Sequence, residues 1–429
     1  MITLAPGIIV LIMVIIFFGA MYLRVPIAFA LVLAVLPFML SDNRFDLELL
    51  AQRMYAGIDS FILLAVPFFI LAASLMTASG ITEKLLDFAR SIVGGFRGGL
   101  GVVNITGSIG MSGMSGSSTA DVSAIGKMLI PQMLKSGYDR GYAAAVTAAG
   151  AIIASIIPPS IQLIVWGSLS NTSIGKLFLG AIIPGVGVGL ALMFVAWFVA
   201  VRNGYARDAK FQWKVFGSTF VKALPAFGIL VIVFVGFRFG LVTATEAAVT
   251  AVIYALAVAL VYRTLSWKKL LEAIKETAEL TGTALLALAA ASVIGYLLAI
   301  YNIPSMFESI LSGVPGWAVL IVITIILLVF GCFMDALPAM AILIPVFAPF
   351  VIAAGIDPVQ YGVIAVMTLA VGLITPPVGI CLLIASQIAG VPMLKAVKPL
   401  MPFLLAIVTV IGLCIAFPQI VLWLPSTGK

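Results

Sequence analysis

Two aspartates set in apolar sequence are the residues with most chemistry to offer. Asp121 closes the run Gly110-Met-Ser-Gly-Met-Ser-Gly-Ser-Ser-Thr-Ala-Asp121, and Asp335 sits in Gly331-Cys-Phe-Met-Asp-Ala-Leu-Pro338. Each is followed, after seven residues, by Leu-Ile-Pro, ending at Pro131 and Pro345. A carboxylate inside a membrane is expensive and points to an ion pathway or a binding site. Beside hydroxyls, in a chain without histidine, such carboxylates suit hard oxygen coordination of a small cation such as Na+ rather than a transition metal. A carboxylate that carries a proton is the competing chemistry.

The second group with chemistry is a pair of double prolines, Ile156-Ile-Pro-Pro-Ser160 and Ile374-Thr-Pro-Pro-Val-Gly379. Each proline removes an intrahelical hydrogen bond and disfavours helical backbone before it. Two together are expected to unwind a helix, leaving carbonyls on one half-helix end and N–H groups on the other. The first end suits a cation and the second a carboxylate. A simple kink is the alternative, and two breaks in register argue against it.

The register is part of a wider duplication. From Gly137 to Pro184 and from Gly355 to Pro402, 218 positions on, Gly137/Gly355, Asp139/Asp357, Pro158/Pro376, Pro159/Pro377, Ser168/Ser386 and Pro184/Pro402 align without a gap. Secondary transporters place broken helices in matching positions of two repeats, around a midplane site.

The elements that must position these groups are membrane helices. With 63% hydrophobic and 9% charged residues and a mean hydropathy of +1.27, no soluble core could absorb the apolar surface. Runs such as Ile8–Tyr22, Phe61–Leu75, Leu177–Val201, Leu224–Phe237, Ala247–Val261, Leu280–Ile300 and Val397–Ala416 approach or reach spanning length, about 17–25 residues. No basic residue precedes Arg24, so Leu4–Leu23 reads as a retained span rather than a signal peptide. Cys332, Cys381 and Cys414 lie in apolar segments without pairing or metal spacing and read as packing residues. The formal charge of +7 sits at span ends, so it implies no nucleic acid.

Lys and Arg gather in a few loops, and with these placed in the cytoplasm 17 of 23 fall there. Both termini are then periplasmic. Five crossings (142–169, 177–201, 223–238, 242–262, 280–301) separate the two Asp-x7-Leu-Ile-Pro units, and an odd number inverts the second copy. The expected fold is all-α and polytopic, with inverted-topology repeats. The first repeat is 1–201, with a hairpin at 98–135 and a broken helix at 142–170. A cytoplasmic connector follows at 202–222. The second repeat is 223–418, with a hairpin at 317–351 and a broken helix at 361–389, then a tail at 419–429. The hairpins are expected to be re-entrant, with apolar arms of about half a membrane each around a non-helical centre tolerated only in a buried or wet setting. Small-residue helix packing explains the glycines but not the two acids. Glu246 reads as a helix cap or packing residue. Glu83–Phe96 and Trp267–Glu279 read as amphipathic helices lying in the membrane surface, either as anchors or as braces.

At these residues the chain resembles the large membrane (M) subunit of tripartite ATP-independent periplasmic (TRAP) transporters over essentially its whole length. The resemblance rests on Ser115-Gly-Ser-Ser-Thr-Ala-Asp121, Gly137-Tyr-Asp, Ile157-Pro-Pro-Ser-Ile161, Thr243-Ala-Thr-Glu-Ala-Ala248, Gly355-Ile-Asp-Pro and Thr375-Pro-Pro-Val-Gly379. It implies a multi-pass protein of the bacterial inner membrane that works with a separate four-helix (Q) subunit and a soluble periplasmic substrate-binding protein. It implies Na+-coupled uptake of an organic acid, such as a C4-dicarboxylate or sialic acid, by a transport domain moving as an elevator against a scaffold. Carried over, it implies a cation site at Ser115, Ser117, Asp121, Asp335, Thr375 and Gly379, and a substrate site at Ser112, Ser118, Thr119, Pro158, Pro159, Ser160, Pro376 and Pro377. A stand-alone carboxylate or ion antiporter of similar architecture is the nearest alternative. An enzyme is not expected: a serine protease triad needs a histidine base, and the Gly-x-Gly-Asp of intramembrane aspartyl proteases is absent.

Overall fold

In the computed structural model of the protein the described residues are 6–42, 47–96, 98–205, 211–303 and 313–427, and among them every regular element is helical. Arg44, Arg97, Arg207, Lys210 and Lys429, and most of the 302–316 loop, which has no Lys or Arg, lie outside the described residues. Eight helices are long and apolar enough to cross a membrane, or nine if one bent pair counts as a span. The chain is thus an all-α multi-span membrane protein. Large apolar side chains such as Leu190, Phe194, Phe198, Leu405 and Val408 stay exposed on the outer faces of its longest helices. Apolar solvent there removes the reason to bury them.

The first part of the chain forms α1 (Pro6–Tyr22), α2 (Ile27–Ser41), α3 (Leu47–Ala56), α4 (Ala65–Ala78, entered through a 3-10 turn at Phe61–Leu64) and the amphipathic α5 (Ile81–Val93). Then comes a hairpin, α6 (Gly99–Ser115) and α7 (Ser118–Lys135). The first broken helix is α8 (Arg140–Ala151) continued by α9 (Ile153–Ile156), then α10 (Ile161–Ser170), with a 43° bend across the break. The long α11 (Ile174–Arg202) closes this half. The second half runs α12 (Trp213–Arg238), α13 (Ala244–Val261), α14 (Trp267–Ile300), the hairpin α15 (Gly316–Phe333) and α16 (Ala336–Ala353), the broken pair α17 (Pro358–Gly372) and α18 (Ile380–Ala389), then α19 (Met393–Ala416) and the short α20 (Gln419–Ser426).

The duplicated Gly-x-Asp has a local cause. Gly137 (φ +82°) and Gly355 (φ +68°) end α7 and α16 in the left-handed conformation. The following N–H groups reach back five residues, Tyr138 to Met133 O at 3.0 Å and Ile356 to Val351 O at 3.0 Å, which is a Schellman closure. Asp139 and Asp357 then cap the next helices, accepting from Tyr142 N at 2.9 Å and Val359 N at 2.7 Å. Both sequence copies therefore encode one turn twice. Glu246 behaves as expected: its carboxylate accepts from Thr243 N at 2.7 Å while Thr243 Oγ1 accepts from Glu246 N at 3.4 Å, a capping box.

The halves interlock reciprocally. α18 packs on α7 and α8, and α10 packs on α16 and α17. Each broken helix thus sends its second part into the hairpin of the other half. Likewise α4 packs on α13, and α14 on α2.

Four expectations need correction. The segment Trp267–Glu279 is no separate surface helix but the first third of the 34-residue α14, because no proline separates its charged start from its apolar remainder and the single Gly282 at the junction is tolerated inside a helix. The hairpin arms are 17 and 18 residues in the first copy and 18 and 18 in the second, about 26 Å each at 1.5 Å per residue, far more than half a membrane. The glycine-rich stretch Gly110–Ser115 is helical, and only Gly116 and Ser117 break it. Its glycines admit α5: a Cβ at Gly107 or Gly110 would meet Leu86 or Leu85 at 2.3 and 2.7 Å. Finally, 419–426 is helical rather than a tail.

Candidate functional site

The first hairpin tip is built by Gly116 (φ +60°) and the N-cap Ser117. Ser117 Oγ accepts from Ala120 N at 3.5 Å and lies 3.1 Å from Thr119 Oγ1. Ser115 Oγ accepts from Ser117 N at 3.4 Å. The tip is laid against the first break: Ile161 N donates to Gly116 O at 3.3 Å, and a Cβ on Gly116 would stand 2.6 Å from Pro159 O. Ser118 and Ser155 hydroxyls are 2.6 Å apart, and Ser160 donates to Ser155 O at 2.5 Å while capping Leu163 N at 3.3 Å. Sequence reasoning missed Ser155, a lone hydroxyl three residues before Pro158 in an apolar run. That spacing was the only available signal.

Asp121, in the first turn of α7, is wholly buried; neither carboxylate oxygen has a well-formed hydrogen bond, and the Ser115 hydroxyl is the side chain close enough to interact with it. Every neighbouring hydroxyl named above has a hydrogen-bond partner. A buried carboxylate without a well-formed hydrogen bond is a rarity that asks for a missing cation, proton or water.

The second hairpin tip meets the second break in the same way. Val378 N donates to Cys332 O at 3.2 Å, and Gly331 and Gly372 touch backbone to backbone. Asp335 is half-buried and caps α16, accepting from Ala336 N at 2.7 Å. Thr375 Oγ1 donates to Val371 O at 2.8 Å. Gly379 (φ +46°) turns the chain into α18, with its absent Cβ 3.1 Å from Thr375 O. Both double prolines contain a cis bond, Pro158–Pro159 and Pro376–Pro377. The two tips converge on α18, whose first turn holds the buried Cys381 within electrostatic range of both Asp335 and Asp121. A residue read as packing thus feels the charge of both acids.

The structure therefore gathers Ser115, Ser117, Ser118, Thr119, Pro158, Pro159 and Ser160 at one tip, and Asp335, Thr375, Pro376 and Gly379 at the other. Two more expected residues lie beside these. Ser112 is buried but donates to Ile109 O at 2.6 Å within its own helix. Pro377 is exposed.

The far end of α18 is tied to the other half. Arg140 Nη1 donates to Ala389 O at 3.1 Å, a cation on a helix C-terminus whose dipole favours it. Arg140→Met is expected to lower stability by about 1–2 kcal/mol, read as an earlier thermal melt of the purified protein. Arg140→Lys should recover part of it, and an unchanged melt in both would show that the contact contributes nothing.

A sequence profile of the "Tripartite ATP-independent periplasmic transporter, DctM component" matches residues 14–420. The chain belongs to this TRAP family. It is 36% identical over 415 residues to the sialic acid TRAP transporter large permease protein SiaM of Vibrio cholerae, covering 95% of this chain and 96% of that protein. It is 36% identical over 407 residues to the 2,3-diketo-L-gulonate TRAP transporter large permease protein YiaN of Escherichia coli, covering 94% and 96%. Among solved structures, the Alcanivorax borkumensis YdaH transporter, described as having an unusual topology, aligns with a TM-score of 0.59 at 14% identity over 89% of each chain. That likeness concerns the fold alone.

Proposed function

We propose that this TRAP large permease imports an organic acid together with Na+. Asp121 carries the reading: a buried carboxylate without a well-formed hydrogen bond, with the Ser115 hydroxyl beside it and a helix break at the same tip, is a fitting donor set for a hard monovalent cation. The residues at the two tips, Ser115, Ser117, Asp121, Asp335, Thr375 and Gly379, hold the cation. Ser118, Thr119, Pro158, Pro159, Ser160, Pro376 and Pro377 face the acid, whose carboxylate gains from N–H groups at half-helix starts. Ser112 supports the tip from inside α6.

The two hairpins enter the membrane from opposite sides, and the hairpins with the broken helices move as an elevator against the remaining spans. Both chain ends face the periplasm of a bacterial inner membrane. A soluble binding protein delivers the acid and a small four-helix subunit, a separate chain, completes the scaffold. The relatives SiaM and YiaN are named for sialic acid and 2,3-diketo-L-gulonate. Both compounds are carboxylic acids, and C4-dicarboxylates belong in the same screen.

Reconstitution into proteoliposomes tests the reading. Uptake of the cognate acid is expected only with an inward Na+ gradient, the binding protein and the small subunit all present. Robust uptake by this chain alone would replace the reading with a stand-alone carrier. Topology is checked separately: single cysteines at Ser117 and Met334 should react with membrane-impermeant maleimide from opposite faces, and labelling from one face would end the inverted arrangement.

A further inference from the structure

An apolar crevice of about 410 Å3 lies between α5, α6, α11 and α12, a size in the range of small-ligand sites. Its walls include Leu85 and Phe88 of α5, Gly113 of α6, and Ala226, Leu230 and Phe234 of α12. It runs toward Ile157 at the first break. Water gains nothing from such walls. One end, however, is cationic. Lys222 precedes Ala226, Leu230 and Phe234 at four-residue steps, so it heads the same face of α12, and Lys84 heads the face of α5 that carries Phe88. The two ammonium groups are close enough to repel each other, with only Glu83 as a compensating charge on Lys84. Lys84 Nζ stands 3.0 Å over the Tyr262 ring, and Tyr262 donates to Lys222 O at 3.3 Å, so the three form one cluster. Neither lysine has a salt bridge among the described residues, while Glu83 and Asp87 point to the exposed side of α5.

We infer that the crevice holds an acyl chain of an anionic phospholipid, with its phosphate between Lys84 and Lys222. The apolar walls take the tail and the paired cations select the headgroup. On the orientation proposed above this is the cytoplasmic leaflet, where each lysine near the surface favours anionic lipid about fivefold. The inference does not depend on the transported substrate or on Na+.

Native mass spectrometry of the full chain, titrated with phosphatidylglycerol or with phosphatidylcholine of the same acyl length, tests it. Wild type is expected to retain phosphatidylglycerol preferentially. The K84Q/K222Q double variant should lose on the order of 25-fold in that preference and fall to the phosphatidylcholine level. Gly113→Leu, whose Cβ would already touch Leu230 at 3.5 Å and whose longer side chain would fill the crevice, should reduce retention of both lipids while K84Q/K222Q spares phosphatidylcholine. Equal retention of the two lipids by wild type, or an unchanged preference in K84Q/K222Q, would overturn the inference. So would a photoreactive group at Val231 that cross-links a protein helix rather than lipid.

Discussion

Asp121→Asn is expected to lower Na+-dependent uptake by a hundredfold or more while leaving the protein folded. Removing one partner of a desolvated ion pair costs about 3–5 kcal/mol, and Asp121 is wholly buried with only the neutral Ser115 hydroxyl near enough to soften the loss. The fold should tolerate asparagine, whose Oδ1 can still accept from the Ser115 hydroxyl. The check is twofold. Adding Na+ should raise the melting temperature of wild type, as any ligand of the native state does, and should leave Asp121→Asn unmoved. Ser117→Ala, which removes one neutral hydroxyl, should weaken apparent Na+ affinity only about fivefold. If Na+ still shifts the melting temperature of Asp121→Asn as it shifts wild type, this carboxylate is not the coupling group.

The second large effect is expected at Gly372→Ala. A single methyl there would stand 2.3 Å from the carbonyl carbon of Gly331 and 2.5 Å from its Cα and O. Because both sides of the contact are backbone, no side chain can swing aside, and the second hairpin must lift from the break. Helix propensity favours alanine by about 1 kcal/mol, but overpacking of a tight core costs about 1–3 kcal/mol or more, so the net sign is destabilising. Gly412→Ala in α19 is the internal control: its Cβ meets nothing within 4 Å, so the same substitution should be neutral or stabilising. Thermal melts of the two variants are expected to move in opposite directions. Parallel shifts would mean that the Gly331–Gly372 contact does not hold the hairpin.

Much of this architecture was legible in the chain, for reasons the structure makes physical. The Gly-x-Asp pairs repeat because one turn is built twice, a left-handed glycine followed by a capping aspartate. The double prolines repeat because no helix propagates through them. Other features leave no local trace. Whether a glycine-rich stretch unwinds or packs depends on what lies against it, and at Gly107 and Gly110 that is α5. The continuity of α14 follows from the absence of a proline rather than from amphipathicity, which describes one face of a helix and not its end. Ser155 has no counterpart in the second copy, where Leu373 stands, so the duplication could not flag it. Cys381 reads as packing from sequence because the two acids whose charge reaches it, Asp121 and Asp335, belong to other segments. The exchange of α10 and α18 between halves joins segments well over a hundred positions apart, beyond the reach of any periodicity.

That exchange also orders the protein's birth. The ribosome finishes the first hairpin, with Asp121 and its serines, well before α18 exists to cover it. Until residues 380–389 emerge, this polar apex has no permanent lid, and the insertion machinery or the surrounding lipid must shelter it. The two halves therefore mature together or not at all, and a polypeptide truncated before α18 should be a quality-control substrate rather than a half-working carrier.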